Sequence, residues 1–199
     1  MVTRSANDQA AARYQQAATL SAELEEQDRL FKELPRHLAQ MALFGVNTGC
    51  RDNEICNLQW EWEVKVPELD TSIFIVPGRH VKNGDDRLIV LNRIALSVVN
   101  DLRGKHPSQV FAYNGKPTSR MLNGAWLRAR NRAGLPDVRV HDLKHTFGRR
   151  LRAAGVSFED RQDLLGHRSG RITTHYPDPC SVSRPSYFPQ LMRAGPALS

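Results

Sequence analysis

The stretch His141–Gly155, HDLKHTFGRRLRAAG, sets two histidines, an aspartate and a lysine within five residues and follows them with Arg149, Arg150 and Arg152. Leu143, Phe147, Leu151 and Ala154 recur at helical spacing, so the spacing predicts a helix over 141–154 with an apolar stripe, while His141, Lys144 and His145 fall on an adjoining side. Four uses suit such a cluster: a metal, a nucleophile's helpers, a grip on phosphate, or a solvated helix face. A metal fits poorly, because HDLKH lacks the glutamate of an HExxH helix and an ammonium between the histidines repels a cation. No Ser or Cys lies in a recognisable elbow such as GxSxG. Phosphate, whose several oxygens suit clustered His, Lys and Arg, and a plain basic surface both stay open from this segment alone.

Outward from that helix, Ser157 reads as the cap of a further helix that carries Glu159 and Asp160 in its first turn and stops at Gly166. Upstream, residues 8–34 are rich in Ala, Gln, Glu and Leu and read as a connecting helix rather than a domain. Pro35 suits a helix's first position, and Leu38, Met41, Ala42 and Val46 continue at helical spacing to Gly49. From Val64 to Leu91 the texture changes to VKV, SIFIV and RLIVL, a small antiparallel meander with Asn83-Gly84 as its expected hairpin turn. Helical pattern returns over Arg93–Arg103 and Met121–Ala133, the latter closed by Gly134. The expected class is mainly α with a small antiparallel β-sheet. Beyond Tyr176 the tail is proline-rich without amphipathic period and is expected to be loosely ordered.

The chain has 199 residues, enough for one main domain with attachments. Lys and Arg number 28 against 21 Asp and Glu, a net charge of +7 that favours a polyanionic partner, nucleic acid or an anionic membrane. No apolar run approaches the roughly 18–20 residues of a membrane span, and the N-terminus lacks a signal peptide's apolar centre, so no membrane role and a cytoplasmic location are expected. Cys50, Cys56 and Cys180 show no CxxC spacing and read as reduced thiols, the first two in the core.

Four further segments join the opening cluster: NTGCRDNEI with Arg51 and Glu54, VKNGDDRLIV with Lys82, LLGHRSG with His167, and TTHYPD with Tyr176. Their order and spacing resemble the catalytic domain of the tyrosine recombinases, the phage integrase family, from about Glu33 to Tyr176. The resemblance implies a tyrosine-recombinase DNA breaking-rejoining fold at 34–178, preceded by a helical extension at 1–33 and followed by the tail at 179–199. It implies that Tyr176 attacks a phosphorus of double-stranded DNA to give a 3′-phosphotyrosyl bond and a free 5′-hydroxyl, with no cofactor or metal. On the same footing Arg51 binds the non-bridging oxygens, Lys82 protonates the leaving oxygen, His141 takes or positions the tyrosine proton and His167 hydrogen-bonds a phosphate oxygen. Glu54 steadies the Arg51 segment, and Arg149, Arg150 and Arg152 meet the DNA backbone. The source implied is a phage or prophage, acting in the bacterial cytoplasm.

Three departures qualify the resemblance. Lys144 stands where the family pattern has a second arginine, and one lost charge-assisted hydrogen bond in the transition state would cost roughly 1.5–3 kcal/mol, about tenfold to a hundredfold in rate. About 33 residues precede the catalytic resemblance, too few for the family's N-terminal clamp, which leads us to expect weak, salt-sensitive binding to DNA. Pro177 and Pro179 follow the tyrosine at once, and proline biases the residue before it away from helix. A homo-tetramer on DNA is implied for full-length members, and a monomer or weak association is expected here. Two other readings accompany the leading one: a type IB topoisomerase-like enzyme, and a catalytically impaired, truncated DNA-binding remnant of an integrase.

Overall fold

Pro35 and Gly49 bracket the helix around which the chain is arranged. The computed structural model describes residues 22–166; the readings made for residues 1–21 and 167–199 lie outside the described residues. Helix α1 occupies 22–33 and α2 is Arg36–Thr48. Pro35 is the N-cap rather than the first helical residue, because its ψ of 144° is extended. At the other end Gly49 takes the left-handed conformation (φ 67°) and donates its N–H to the Gly45 carbonyl at 2.9 Å. Leu38, Met41, Ala42, Phe44 and Val46 of α2 are all buried, so this helix is wrapped by the others.

The short helix α3 (Asp52–Cys56) follows directly, and then the sheet: β1 (Glu63–Val66), β2 (Thr71–Val76) and β3 (Arg87–Val90), antiparallel in the order β1-β2-β3. Ile73 pairs with Val90 and Val76 with Arg87. Phe74, Val76 and Ile89 point inward onto the core. The meander therefore forms as read, but its last turn differs. Residues 77–86 make a longer connection, because Gly84 alone has positive φ (80°) and Asn83 does not, which excludes the two-residue turn. The Asn-Gly pair that does adopt both left-handed angles is Asn114-Gly115 (φ 51° and 72°), joining β4 (Ala112–Tyr113) to β5 (Lys116–Pro117), a hairpin the sequence reading passed over.

Helices α4 (Arg93–Leu102), α5 (Gly124–Arg132), α6 (Val140–Ala153) and α7 (Phe158–Leu165) complete the order. α5 begins later than the pattern suggested, because the Asn123 side chain accepts from the N–H groups of Ala125 and Trp126 and fixes the start there. Ser157 and Gly166 bound α7 as expected, the serine accepting from Asp160 N–H. The main core joins Leu30 at the end of α1 to α2, Ile55, Phe74, Val99, Trp126 and Leu143. The helix read as a connecting extension is thus packed on the body. A smaller cluster of Val90, Phe147, Leu151, Val156 and Leu164 lies between β3, α6 and α7. Cys50 and Cys56 are buried free thiols, as the sequence suggested.

Gly49 is where α2, α6 and α7 meet. A Cβ there would lie 2.5 Å from Phe147 Cδ1 and 3.2 Å from Leu165 Cδ2, in a backbone conformation that side chains avoid. Gly49→Ala is expected to lower stability by roughly 2 kcal/mol or more, combining strain with overpacking. Urea unfolding checks this, and an unchanged midpoint at unchanged slope would contradict the close packing.

Candidate active site

At the N-terminus of α3, Arg51 is held by a carboxylate three residues on. Its backbone N–H donates to Glu54 Oε2 at 2.9 Å and its Nη1 to Glu54 Oε1 at 2.7 Å. Glu54 itself is 4% exposed, so the partner is rigid and the arginine only partly covered. The same device recurs on α6, where Asp142 accepts from the Arg139 N–H at 2.8 Å. The aspartate of the opening cluster therefore caps its own helix. That leaves His141 and His145 exposed on α6, with Lys144 beside them.

These groups converge. Arg51, Lys82, His141 and Lys144 line one open cleft of about 1030 Å³, together with His145, Arg149 and Arg152 of α6 and Phe158, Arg161 and Gln162 of α7. Lys82 reaches it from the 77–86 connection, whose base is closed by Gly78 N–H donating to Asp86 Oδ1 at 2.8 Å. His141 and His145 meet edge to face, with ring centroids 4.7 Å apart. Partial burial, then the neighbouring His145 and Lys144, lower the His141 pKa, while Asp142 opposes and Arg51 adds a little. The imidazole is therefore biased toward the neutral, proton-accepting form near pH 7. Among the described residues no group of three or more His, Cys, Asp or Glu is placed to hold a metal ion, and no helix is long and apolar enough to cross a membrane.

Two expectations need correction. Lys144 is not a free cation on a helix face: it is 5% exposed and its ammonium donates to the Leu165 carbonyl at 2.5 Å. Burial, reinforced by Arg51 and Arg87, pulls its pKa down to about 8. Lysine keeps three donors, so one bond to Leu165 leaves two for a ligand in the cleft. Arg150 also departs from the reading as a backbone contact, because it is buried and bonds Gln27 Oε1 of α1 at 2.7 Å. Arg149 lines the cleft but is paired with Glu23 of α1. Arg152, exposed in the cleft like Arg149, is the one of the three without such a tether among the described residues. His167 and Tyr176 lie outside the described residues.

The sequence reading missed Arg87, which is 2% exposed yet sits in a strand. A signal existed: Arg87 shares the inward register with Ile89, and a cation on the core face of a strand calls for partners. It donates to the carbonyls of Asp163 at 2.9 Å and Leu164 at 2.6 Å, and its Nε lies 3.9 Å from Glu54 Oε2. Arg161 and Phe158, a cation over a ring at 5.8 Å, were likewise unflagged because only their placement on the cleft-facing side of α7 marks them.

A sequence profile of the phage integrase family matches residues 13–180, and the chain belongs to that family. The integrase of Salmonella phage P22 is 29% identical over 164 residues, 76% of this chain and 41% of that protein. The shufflon-specific DNA recombinase of Escherichia coli is 26% identical, covering 74% of this chain and 36% of that protein. Tyrosine recombinase XerA of Pyrococcus furiosus is 26% identical, covering 76% and 54%. The chain thus spans about half or less of the length of these relatives. In fold it is similar to a lambda integrase dimer bound to a COC′ core site (TM-score 0.58, 21% identity, 83% of this chain and 60% of that one). It is also similar to the XerH recombinase bound to difH (TM-score 0.52, 23% identity, 76% and 48%).

Lys144 gives a pH test that needs no ligand. Its folded pKa of about 8 lies below its ordinary 10.5. Between those values the folded chain has released a proton that the unfolded chain still holds, so raising the pH favours folding. Comparing urea unfolding of the protein with that of Lys144→Met at about pH 7.5 and about pH 10 should show the native lysine gaining stability relative to methionine at the higher pH. A constant difference, or one of opposite sign, would contradict the burial argument.

Proposed function

We propose that the cleft is the strand-cleaving centre of a site-specific DNA recombinase of phage integration type, with double-stranded DNA as substrate. The observation that carries this reading is the convergence of Arg51, Lys82, His141 and Lys144 on one cleft from segments far apart in the chain. A phosphodiester is the substrate such a set suits: several cations to hold the non-bridging oxygens, one acid carried on the 77–86 connection and one neutral imidazole.

In this reading the Tyr176 oxygen attacks phosphorus as the bond to the 5′-oxygen breaks, leaving a 3′-phosphotyrosyl ester. His141 accepts the tyrosine proton directly or through water, and Lys82 gives its proton to the 5′-oxygen. Arg51, locked by Glu54, presents its outer nitrogens to the phosphate. Lys144 adds charge at the cleft floor while tied to Leu165, and His167 donates a further hydrogen bond. Arg152 and Arg161 contact flanking phosphates. In this reading the catalytic unit is 34–178, preceded by an extension at 1–33, whose residues 22–33 form the helix packed on the core, and followed by a tail at 179–199.

The test is covalent capture from a pool of nicked suicide duplexes randomised around the nick. We expect a 3′ adduct that Tyr176→Phe abolishes, Arg51→Ala slows by about a thousandfold and Lys82→Ala by about a hundredfold. Its pH profile should have an acid limb below the ordinary imidazole range, where His141 protonates, and an alkaline limb at or above about 8, where Lys144 loses its charge. Binding without any adduct, or an adduct that survives Tyr176→Phe, would overturn the reading. For about four phosphate contacts, affinity for duplex DNA should fall roughly a hundredfold between about 50 and 200 mM salt. A flat salt response in a filter-binding titration would remove the phosphate contacts from the reading.

A further inference from the structure

The final turn of a helix leaves carbonyls without partners inside the helix. At the end of α7 the Asp163 carbonyl accepts from the Gly166 N–H at 3.0 Å, and buried cations add to it: Arg87 takes the carbonyls of Asp163 and Leu164, and Lys144 takes that of Leu165. The negative end of the helix dipole favours such placement. Yet the region carries Arg51, Arg87 and Lys144 against the carboxylate of Glu54, which bonds Arg51 and lies 3.9 Å from Arg87 Nε. A buried surplus of positive charge is costly unless something is gained from it.

The Arg87 side chain does not line the cleft; it stands behind the cleft, between the two walls. On one side is the Glu54 that locks Arg51, and on the other the end of α7, whose Arg161, Gln162 and Leu165 form the opposite wall. Gly166, which caps α7 with φ 60°, packs directly on Arg87: a Cβ there would lie 2.7 Å from Arg87 Cδ and 2.8 Å from Cζ. Since both terminal nitrogens of Arg87 are engaged, its side chain has no freedom to retreat. The glycine before His167 is required by this buried arginine as well as by the helix end.

We propose that Arg87 is a positioning residue of the strand-cleaving centre, holding the end of α7 at a fixed separation from the Arg51–Glu54 corner. The proposal rests on the function proposed for the cleft. Arg87 touches no substrate. It acts by keeping the Leu165 carbonyl where Lys144 can bond it, and by setting where the chain leaves α7. It also bears on Lys144 electrostatically, alongside Arg51, Glu54 and Cys50, with His141 on the same helix and Arg161 across the cleft on α7.

The experiment compares the protein with Arg87→Met, Arg87→Lys and Gly166→Ala. Circular dichroism establishes folding, filter binding gives DNA affinity, and suicide-duplex capture gives the rate of adduct formation against pH. The Lys144 ammonium is followed by NMR titration, which does not depend on activity. In Arg87→Met we expect affinity within about threefold of the parent and adduct formation slowed by about a hundredfold. Lys144 should titrate above about 8, because the neighbouring like charge of Arg87 is lost, carrying the alkaline limb with it. Arg87→Lys, which can bond one carbonyl but not both, should recover part of the rate, and Gly166→Ala should copy the defect with Arg87 intact. A folded Arg87→Met with the parent rate and an unmoved Lys144 titration would overturn the proposal, as would an equal loss in binding and in adduct formation. If Arg87→Met does not fold, Arg87→Lys decides by the same readouts. If the parent forms no adduct at all, the function proposed for the cleft fails, and the Lys144 titration in Gly166→Ala, where the Arg87 charge is intact, still decides whether the Arg87 contact sets the position of this wall.

Discussion

Burying Glu54 between two arginines is the constraint from which the geometry of the cleft follows. A carboxylate 4% exposed needs cationic or N–H partners, and here it takes the backbone and side chain of Arg51 and faces the buried Arg87. Arg51 is thereby presented at the start of α3 in one orientation, and Arg87 is committed to the side of the carboxylate away from the cleft. The far end of Arg87 then reaches two carbonyls of α7, and the third carbonyl goes to Lys144. α3, β3, α6 and α7 meet through polar groups at one place, over the small apolar cluster of Phe147, Leu151 and Leu164.

This arrangement explains why a lysine serves at position 144. An ammonium on a flexible stem bonds a single carbonyl and still offers protons elsewhere, whereas the planar fork of a guanidinium is best matched by two acceptors in a plane. The neighbouring carbonyls of Asp163 and Leu164 are already taken by Arg87. Burial and the two adjacent arginines lower the lysine's pKa to about 8, close enough to neutrality that an anion in the cleft would favour its charged form. A phosphodiester, the substrate proposed for the cleft, would carry the charge that offsets this positive surplus.

Much of the fold was legible locally. Pro35 and Gly49, the VKV, SIFIV and RLIVL runs, and the Ser157 and Gly166 boundaries each carry their own chemistry, and each forms within a residue or so of its reading. The two Asn-Gly pairs show the limit of local reading. Asn114-Gly115 closes a two-residue turn, while Asn83-Gly84 sits in a ten-residue connection whose course depends on Asp86 reaching back to Gly78. Arg51, Lys82, His141 and Lys144 were named from motif order, and the cleft brings them together.

The sequence by itself determined the element types, the family and which residues could carry charge to a phosphate, because turn chemistry, periodicity and motif spacing are properties of neighbours in the chain. Only the tertiary structure decided which of those charges are free. Arg149 and Arg150 look alike beside Arg152, but α1 supplies Glu23 and Gln27 to the first two. Lys144 is tethered by a carbonyl 21 residues away and Arg87 by carbonyls 76 and 77 residues away. Hydrogen-bond partnership at such separations depends on how helices pack: the alternation of β3 signals that Arg87 faces inward, but no local pattern names its partners.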